Sequence, residues 1–174
     1  MSYALFGAMI ATSTVVMFGL MYLNTFALDH VFYSQTGTWM ALLMGAVMAV
    51  IMLVFMLKMY PSRSTNIGIA VGSIAVFVVS LWLVRSQRTV DDVSYMKAMI
   101  PHHSIAILTS ERAHIRDPRV RKLADGIIEA QVREIVEMKQ LIIDLGVNPP
   151  SAGFPDLPAC PVAALSSGSR NPNT

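Results

Sequence analysis

Three long blocks of apolar residues, each without a charged side chain, occupy the first half of the chain. They run from Tyr3 to Leu28, from Trp39 to Leu57 and from Ile67 to Val84. A helix needs about 20 consecutive apolar residues to cross the hydrocarbon core of a bilayer. The pattern therefore predicts a three-span transmembrane region over residues 1–88. The first block is too long for a signal-peptide core, so we expect it to be retained.

The pattern changes after the third block, where apolar residues recur at every third or fourth position. Thr89 is followed by Asp91 and Asp92, and a hydroxyl cap before acidic residues is typical of a helix start. The apolar residues then continue at helical spacing. These signals predict a helix over residues 90–115.

A second helix is predicted directly after the first. Asp117 suits the capping position, Pro118 the first helical position, and Gly146 the stop, which gives a helix over residues 118–145. The turn between the helices is short, so we expect an antiparallel hairpin over residues 89–148. The predicted fold class is all-α, with the hairpin as half of a helical bundle.

The last part of the chain, residues 149–174, has the composition of a disordered tail. Five prolines fall between Pro149 and Pro161, and the final residues are small or polar. The one cysteine, Cys160, lies in this tail. It supports neither an intrachain disulfide nor a cysteine-based zinc site.

The distribution of lysine and arginine between the loops favours one membrane orientation over the other by a small margin. Lys58 and Arg63 lie between the second and third blocks, which favours a cytoplasmic N-terminus and an external C-terminal half. Arg85 and Arg88, directly after the third block, almost balance this count. We expect an inner membrane of bacterial type, with the hairpin periplasmic or extracellular. The net charge of +2 is too small and scattered for a nucleic-acid partner.

Several residues of the apolar half have two interpretations. Gly68 and Gly72 permit close helix contact, either in a homodimer or against the other spans. Asn24, Asp29 and His30 are expected at the membrane interface, or in a polar contact with the external helices. A methionine ladder in the second block indicates packing or lipid contact, with a thioether path for Cu(I) as the alternative. Its members are Met40, Met44, Met48, Met52 and Met56.

Methionine, histidine, glutamine and glutamate side chains interrupt the apolar faces of both predicted hairpin helices. They are expected at the same height along the two helices. The expected facing pairs are Met96 with Met138, Met99 with Glu134, and His103 with Gln131. Thioether and imidazole groups suit a soft cation such as Cu(I) or Ag(I). The full set of candidate metal ligands is Met96, Met99, His102, His103, Gln131, Glu134 and Met138.

Pro101 lies inside the first hairpin helix, immediately before the two histidines. It has no N–H, so the carbonyl of Lys97 loses its helical partner and a kink is expected. A kink would let His102 and His103 turn towards one site. On a straight helix the two rings point about 100° apart, and His102 would lie at a flank or a dimer contact.

Two other interpretations compete with a soft-metal site. Methionine on an apolar stripe is usually core filler, and a histidine there is usually structural. Glu111 and His114 form a Glu-x-x-His pair, which in a dimer of hairpins could contribute to a di-iron carboxylate site. Against this, Glu134 would lie about 16 Å along the bundle from Glu111. No residue is predicted to be catalytic.

The runs "MKAMIPHHSIAI" and "IIEAQVREIVEMKQLI" resemble the family named domain of unknown function 305, over residues 89–145. The resemblance implies a ferritin-like helical bundle, with copper binding and copper resistance outside the cytoplasm in some members. It implies Met96, Met99, His102, His103 and Met138 as ligands, with Gln131 and Glu134 at the polar positions of the second helix. Family members often have a further methionine where this chain has Leu108 and Thr109.

The residues and the resemblance together lead to one expectation. The chain is a membrane-anchored variant that binds Cu(I) and serves metal handling or resistance, alone or with other metal-handling proteins. The alternatives are a structural or dimerisation module without metal, and a ferritin-like di-iron oxidase.

Overall fold

The computed structural model describes residues 2–151, 153 and 155–159 of the chain. Every regular element in these residues is helical, which confirms the all-helical prediction. The α-helices are α1 (Tyr3–Leu20), α2 (Gln35–Phe55), α3 (Arg63–Ser86), α4 (Asp92–Arg112) and α5 (Pro118–Val147). Two short 3-10 helices, Leu28–His30 and Leu57–Met59, follow α1 and α2.

Helices α1, α2 and α3 are each long and apolar enough to cross a membrane. The first apolar block runs to Leu28, but α1 ends at Leu20. Residues 21–24 form a turn, and Thr25 Oγ1 donates a hydrogen bond to the Tyr22 carbonyl at 3.0 Å. The chain therefore leaves the helix axis while it is still apolar.

Helix α2 packs between α1 and α3, and a glycine on α2 sets its closest approach to α1. A Cβ atom at Gly45 would collide with the Thr14 side chain, whose Oγ1 donates to the Ile10 carbonyl at 2.8 Å. At Gly68 and Gly72, by contrast, a Cβ would meet no described atom within 4 Å. These two glycines do not pack against the other apolar helices.

Side-chain caps define where α4 and α5 begin. Asp91 Oδ1 accepts a hydrogen bond from the Ser94 backbone N–H at 2.7 Å, so the cap of α4 is Asp91 and not Thr89. Asp117 caps α5, and Pro118 is its first residue, as predicted. A carboxylate at this position accepts one of the free N–H groups of the first turn.

The prediction that Gly146 stops the last helix is wrong, because α5 continues to Val147. Among the described residues, glycine takes a positive φ at Gly153 alone, so Gly146 keeps a helical backbone. Residues 149–151, 153 and 155–159 contain no helix or strand. The rest of the predicted tail, with Cys160, lies outside the described residues.

Helices α4 and α5 pack along each other. Near the connecting turn, Arg121 Nη2 donates to the Ser110 carbonyl at 3.0 Å. Further along, a core cluster of buried side chains lies between the two helices. Its members are Met96, Ile100, Ile107, Ile135 and Met138.

The loop between α1 and α2 binds to both C-terminal helices. Ser104 of α4 is fully buried, and its Oγ accepts a hydrogen bond from the Phe26 backbone N–H at 2.7 Å. His30 Nδ1 lies 2.9 Å from the same oxygen, and Lys139 Nζ donates to Asp29 Oδ2 at 2.6 Å. The polar contact considered as the alternative for Asp29 and His30 is therefore present.

Acid is expected to loosen this loop, because burial lowers the pKa of His30 below its ordinary value of 6.5. The positive charge of Lys139 lowers the pKa further, and Asp29 opposes the shift. A histidine with a lower pKa in the folded state than in the unfolded state binds fewer protons when folded. The stability of the docked loop is thus complete above about pH 6.5 and falls as the pH drops below it.

Hydrogen exchange of the loop amides at about pH 7.5 and pH 5, corrected for intrinsic rates, tests this expectation. Protection at the Phe26 amide should decrease in acid, and the decrease should be absent in His30→Gln. Equal protection at both pH values in the unmodified protein would contradict it.

Candidate functional site

A cavity of about 440 Å³ lies between α4 and α5, and four of the predicted ligands line it. Met96 and His103 are seven residues apart on α4, and Glu134 and Met138 are four apart on α5. Both spacings return side chains to one helix face. The remaining lining residues are Asp92, Tyr95, Glu137, Leu141 and Leu145.

The two thioether side chains of this cavity are also part of the core. Met96 is 6% exposed and Met138 is 9% exposed, and both pack in the cluster that includes Ile100. They lie together as the predicted facing pair requires. Burial holds the two side chains in place between the helices. Because methionine is unbranched and has rotatable bonds, each sulfur atom can still shift towards a neighbouring group.

His103 has a buried ring nitrogen without a hydrogen bond. Its Nδ1 lies 3.2 Å from Glu134 Oε2, but the two groups are not aligned for a hydrogen bond, and no other described group binds this nitrogen. Burial lowers the pKa of His103, a shift that Glu134 opposes and His102 reinforces. The ring is therefore neutral near pH 7, the form in which imidazole binds metals.

In the structure Glu134 lies beside His103. The sequence predicted Gln131 at this position. The amide Nε2 of Gln131 donates instead to Glu134 Oε2 at 3.4 Å. The residue beside the His103 ring is therefore three positions further along α5 than the sequence predicted.

Met99 and His102 do not lie in the cavity between α4 and α5. They line a second cavity, on the side of α4 that faces α1 and α2. Pro101 does not interrupt α4, which is helical from Asp92 to Arg112. The rings of His102 and His103 are 6.1 Å apart between centroids and point into different cavities. This is the arrangement expected for a straight helix.

Sequence reasoning missed three polar residues that line the first cavity, namely Asp92, Tyr95 and Glu137. Asp92 was assigned only to the helix start, although it lies one turn before Met96. Glu137 directly precedes Met138. Helical spacing could have identified both carboxylates, because Asp92 lies four residues before Met96 and Glu137 lies three residues after Glu134.

The Glu-x-x-His pair does not form a helical ligand face. Glu111 lies in the last turn of α4, whereas His114 lies beyond the helix end at Arg112. Both residues are exposed. Within residues 2–151, 153 and 155–159, no three side chains of the types His, Cys, Asp and Glu come together as a metal-binding group.

Comparison with known proteins confirms the family. Residues 84–161 match the family described as "Domain of unknown function (DUF305)". The chain is also 34% identical over 106 residues to "Uncharacterized protein L153" of Acanthamoeba polyphaga mimivirus, and the match covers 60% of this chain and 68% of that protein. The chain belongs to the DUF305 family. No solved structure matches it.

The DUF305 match contains all seven predicted ligands and both C-terminal helices. It begins at Val84, close to the end of α3. Helices α1 and α2 and most of α3 are therefore additional to the part that the family model describes.

Proposed function

We propose that the protein is anchored in a membrane by α1, α2 and α3 and binds a soft metal ion, Cu(I) first, between α4 and α5. In this proposal the two C-terminal helices are an antiparallel hairpin, half of a ferritin-like bundle. The protein captures and buffers the metal without turnover, in metal handling or resistance. The family resemblance implies the same ligand chemistry.

The unpartnered Nδ1 of His103 carries the proposal. A buried polar atom without a hydrogen bond costs about 1–3 kcal/mol. The side chain is 14% exposed, so water has little access to it. A cation that takes the Nδ1 lone pair would remove this cost, and the cavity beside it has room for the ion.

The donors around this nitrogen favour a soft ion. Met96 and Met138 offer thioethers, and His103 offers a neutral imidazole. Glu134 lies beside the ring, and the Gln131 amide binds its carboxylate, so the pair would support the ligands and supply negative charge. Zn(II) more often takes thiolate, imidazole and carboxylate ligands, which leaves the two thioethers without a role.

The membrane placement rests on the apolar helices and on their odd number. Three spans put the α1–α2 loop and the C-terminal half on one side, and the contact between Asp29 and Lys139 agrees with this. Lys58 and Arg63 lie at the opposite ends, between α2 and α3. The positive-inside rule then places α4 and α5 outside the cytoplasm, in an inner membrane of bacterial type.

Titration of the full chain in detergent micelles with Cu(I), against a competing chelator, tests the proposal. Met96→Leu combined with Met138→Leu keeps the core volume and removes both sulfur atoms. We expect this variant to bind at least about 100-fold more weakly at the α4–α5 cavity, because even outer-shell changes cost 10–100-fold. Zn(II) and Fe(II) should bind more weakly than Cu(I).

Met9→Leu combined with Met17→Leu is the matched control, because both methionines lie on α1, far along the chain from the hairpin. This control should bind Cu(I) like the unmodified protein. Equal affinity in the Met96→Leu/Met138→Leu variant would rule out the site.

A structural or dimerisation module is the second candidate. Gly68 and Gly72 are open on α3, and α5 exposes Leu123 at 66% and Ile143 at 70%. Close packing of two α3 helices would use the first feature, and a four-helix bundle the second. A dimeric mass in micelles with no Cu(I) binding would favour this candidate.

A further inference from the structure

The second cavity on α4 joins the two halves of the protein. It has a volume of about 480 Å³ and lies where the end of α1 and the start of α2 meet α4. Met21 and Met40 line it from the apolar half, and Met99 and His102 line it from α4. We call it the junction cavity. Its first two methionines lie outside the part of the chain that matches the family.

Three other polar side chains of the junction cavity are already hydrogen-bonded. The Tyr22 hydroxyl accepts from the Ser34 backbone N–H at 3.0 Å, and Ser34 Oγ accepts from the Gly37 N–H at 2.9 Å. The Thr36 hydroxyl donates to Gln87 Oε1 at 3.3 Å. Apart from the Tyr95 hydroxyl, the groups left to bind a ligand are three thioethers and one imidazole.

These four donors have the chemistry of a soft-cation site. Met99 and His102 are three residues apart and share a face of α4, while Met21 follows the end of α1 and Met40 lies on α2. No aspartate or glutamate lines this cavity within the described chain, so a hard cation would find few suitable ligands. Methionine has three rotatable bonds, which lets the thioethers close around an ion in a roomy cavity.

The junction cavity is also accessible. His102 is exposed, so an ion can reach it from outside. Tyr95 lines this cavity and the α4–α5 cavity, so one side chain separates the two. The centroid distance of 6.1 Å between His102 and His103 places the two candidate ligand groups side by side on α4.

We propose that Met21, Met40, Met99 and His102 form a second Cu(I) site, which the membrane helices and the hairpin build together. This inference extends the proposed function from one ion to two ions per chain. In this arrangement the exposed His102 receives the ion, and the α4–α5 cavity holds a second ion behind Tyr95.

Cu(I) titration of the full chain in lipid nanodiscs, with bicinchoninate as the competing chelator, tests the second site. Met21→Leu combined with Met40→Leu should lose one of two bound ions, and Met96→Leu combined with Met138→Leu should lose the other. Met44→Leu combined with Met48→Leu, on the same helix α2 but away from the cavity, is the matched control and should keep both ions. His102→Ala, at an exposed position, should reproduce the loss of one ion without a change in core packing.

The outcomes separate the two sites. Unchanged stoichiometry and affinity in both Met21→Leu/Met40→Leu and His102→Ala overturn the junction site. If the unmodified protein binds one ion that is lost in Met96→Leu/Met138→Leu alone, the proposed function holds and the junction site is wrong. If the one ion is lost in the junction variants alone, the junction site holds and the α4–α5 site is wrong. Absence of Cu(I) binding in the unmodified protein overturns both.

Discussion

His103→Leu is expected to make the protein more stable and to remove Cu(I) from the α4–α5 cavity. The Nδ1 atom of His103 is buried without a hydrogen bond, and such an atom costs about 1–3 kcal/mol. Leucine fills a similar space without a polar atom. We therefore expect the free energy of unfolding to rise by about 1 kcal/mol in metal-free conditions. Denaturant titration of the two proteins in the same micelles measures the difference.

His102→Leu is the natural comparison, because it makes the same change at the adjacent, exposed position. A surface substitution of this kind usually changes stability by less than about 0.5 kcal/mol. If His103→Leu lowers the stability by more than that, the ring is a structural residue with hydrogen bonds in solution, and the argument from its free nitrogen is lost. Gain of stability together with retained Cu(I) affinity would remove His103 from the ligand set.

A gain in stability with a loss of binding would show what the histidine is for. Proteins accept unfavourable local chemistry mainly at functional sites. The other buried side chains between α4 and α5 are apolar, and the other buried polar atoms without a hydrogen bond among the described residues, Gln35 Oε1, Trp39 Nε1 and Tyr60 OH, lie on α2 or after it. His103 departs from that pattern at the point where two methionines meet.

The three apolar helices and the order of the two C-terminal helices could be predicted because they depend on local composition. Runs of about 20 apolar residues and capping signals such as Asp117 and Pro118 are read directly from neighbouring residues. The end of α1 could not be predicted in this way. The chain turns at residues 21–24, and the Phe26 amide then binds Ser104, a residue far along the chain.

Helix ends also show the limits of single residues as signals. A glycine stops a helix when its backbone takes a positive φ, and Gly146 does not. Helix α3 ends at Ser86, and the cap residue after it, Gln87, has a φ of 51° although it is not a glycine. Residue type alone therefore predicted a helix stop at Gly146, where the helix continues, and did not indicate the cap at Gln87.

Only part of the candidate site could be predicted from the sequence. The predicted facing levels of α4 and α5 brought Met96 to Met138, but they put Gln131 rather than Glu134 opposite His103. They could not show that Met99 and His102 face α1 and α2, because helix spacing says nothing about which other elements cover the second side of α4. Met21 was missed as a ligand for the same reason, and Met40 was considered only as part of the methionine ladder of α2.

The second large effect is expected from Ser104→Ala, which removes the oxygen that connects the two halves of the protein. Ser104 Oγ accepts from the Phe26 N–H at 2.7 Å and lies 2.9 Å from His30 Nδ1. Asp29 Oδ1 lies 3.9 Å from His30 Nε2, which favours the tautomer with hydrogen on Nε2. In that tautomer the serine hydroxyl donates to Nδ1. The substitution therefore leaves one donor and one acceptor without a partner.

We expect Ser104→Ala to lower the free energy of unfolding by about 1–3 kcal/mol and to release the α1–α2 loop. Ser110→Ala is the matched control, because it makes the same change on the same helix, where the contact to Arg121 uses the backbone carbonyl. The control also cancels the small gain in helix propensity from alanine. Thermal unfolding in micelles and hydrogen exchange at residues 26–30 measure the two effects. Equal stability and equal loop protection in the two variants would mean that Ser104 does not hold α4 to the α1–α2 loop. A larger loss in Ser104→Ala, with faster exchange confined to the loop, would identify this serine as the connection through which the apolar helices position α4 and its two cavities.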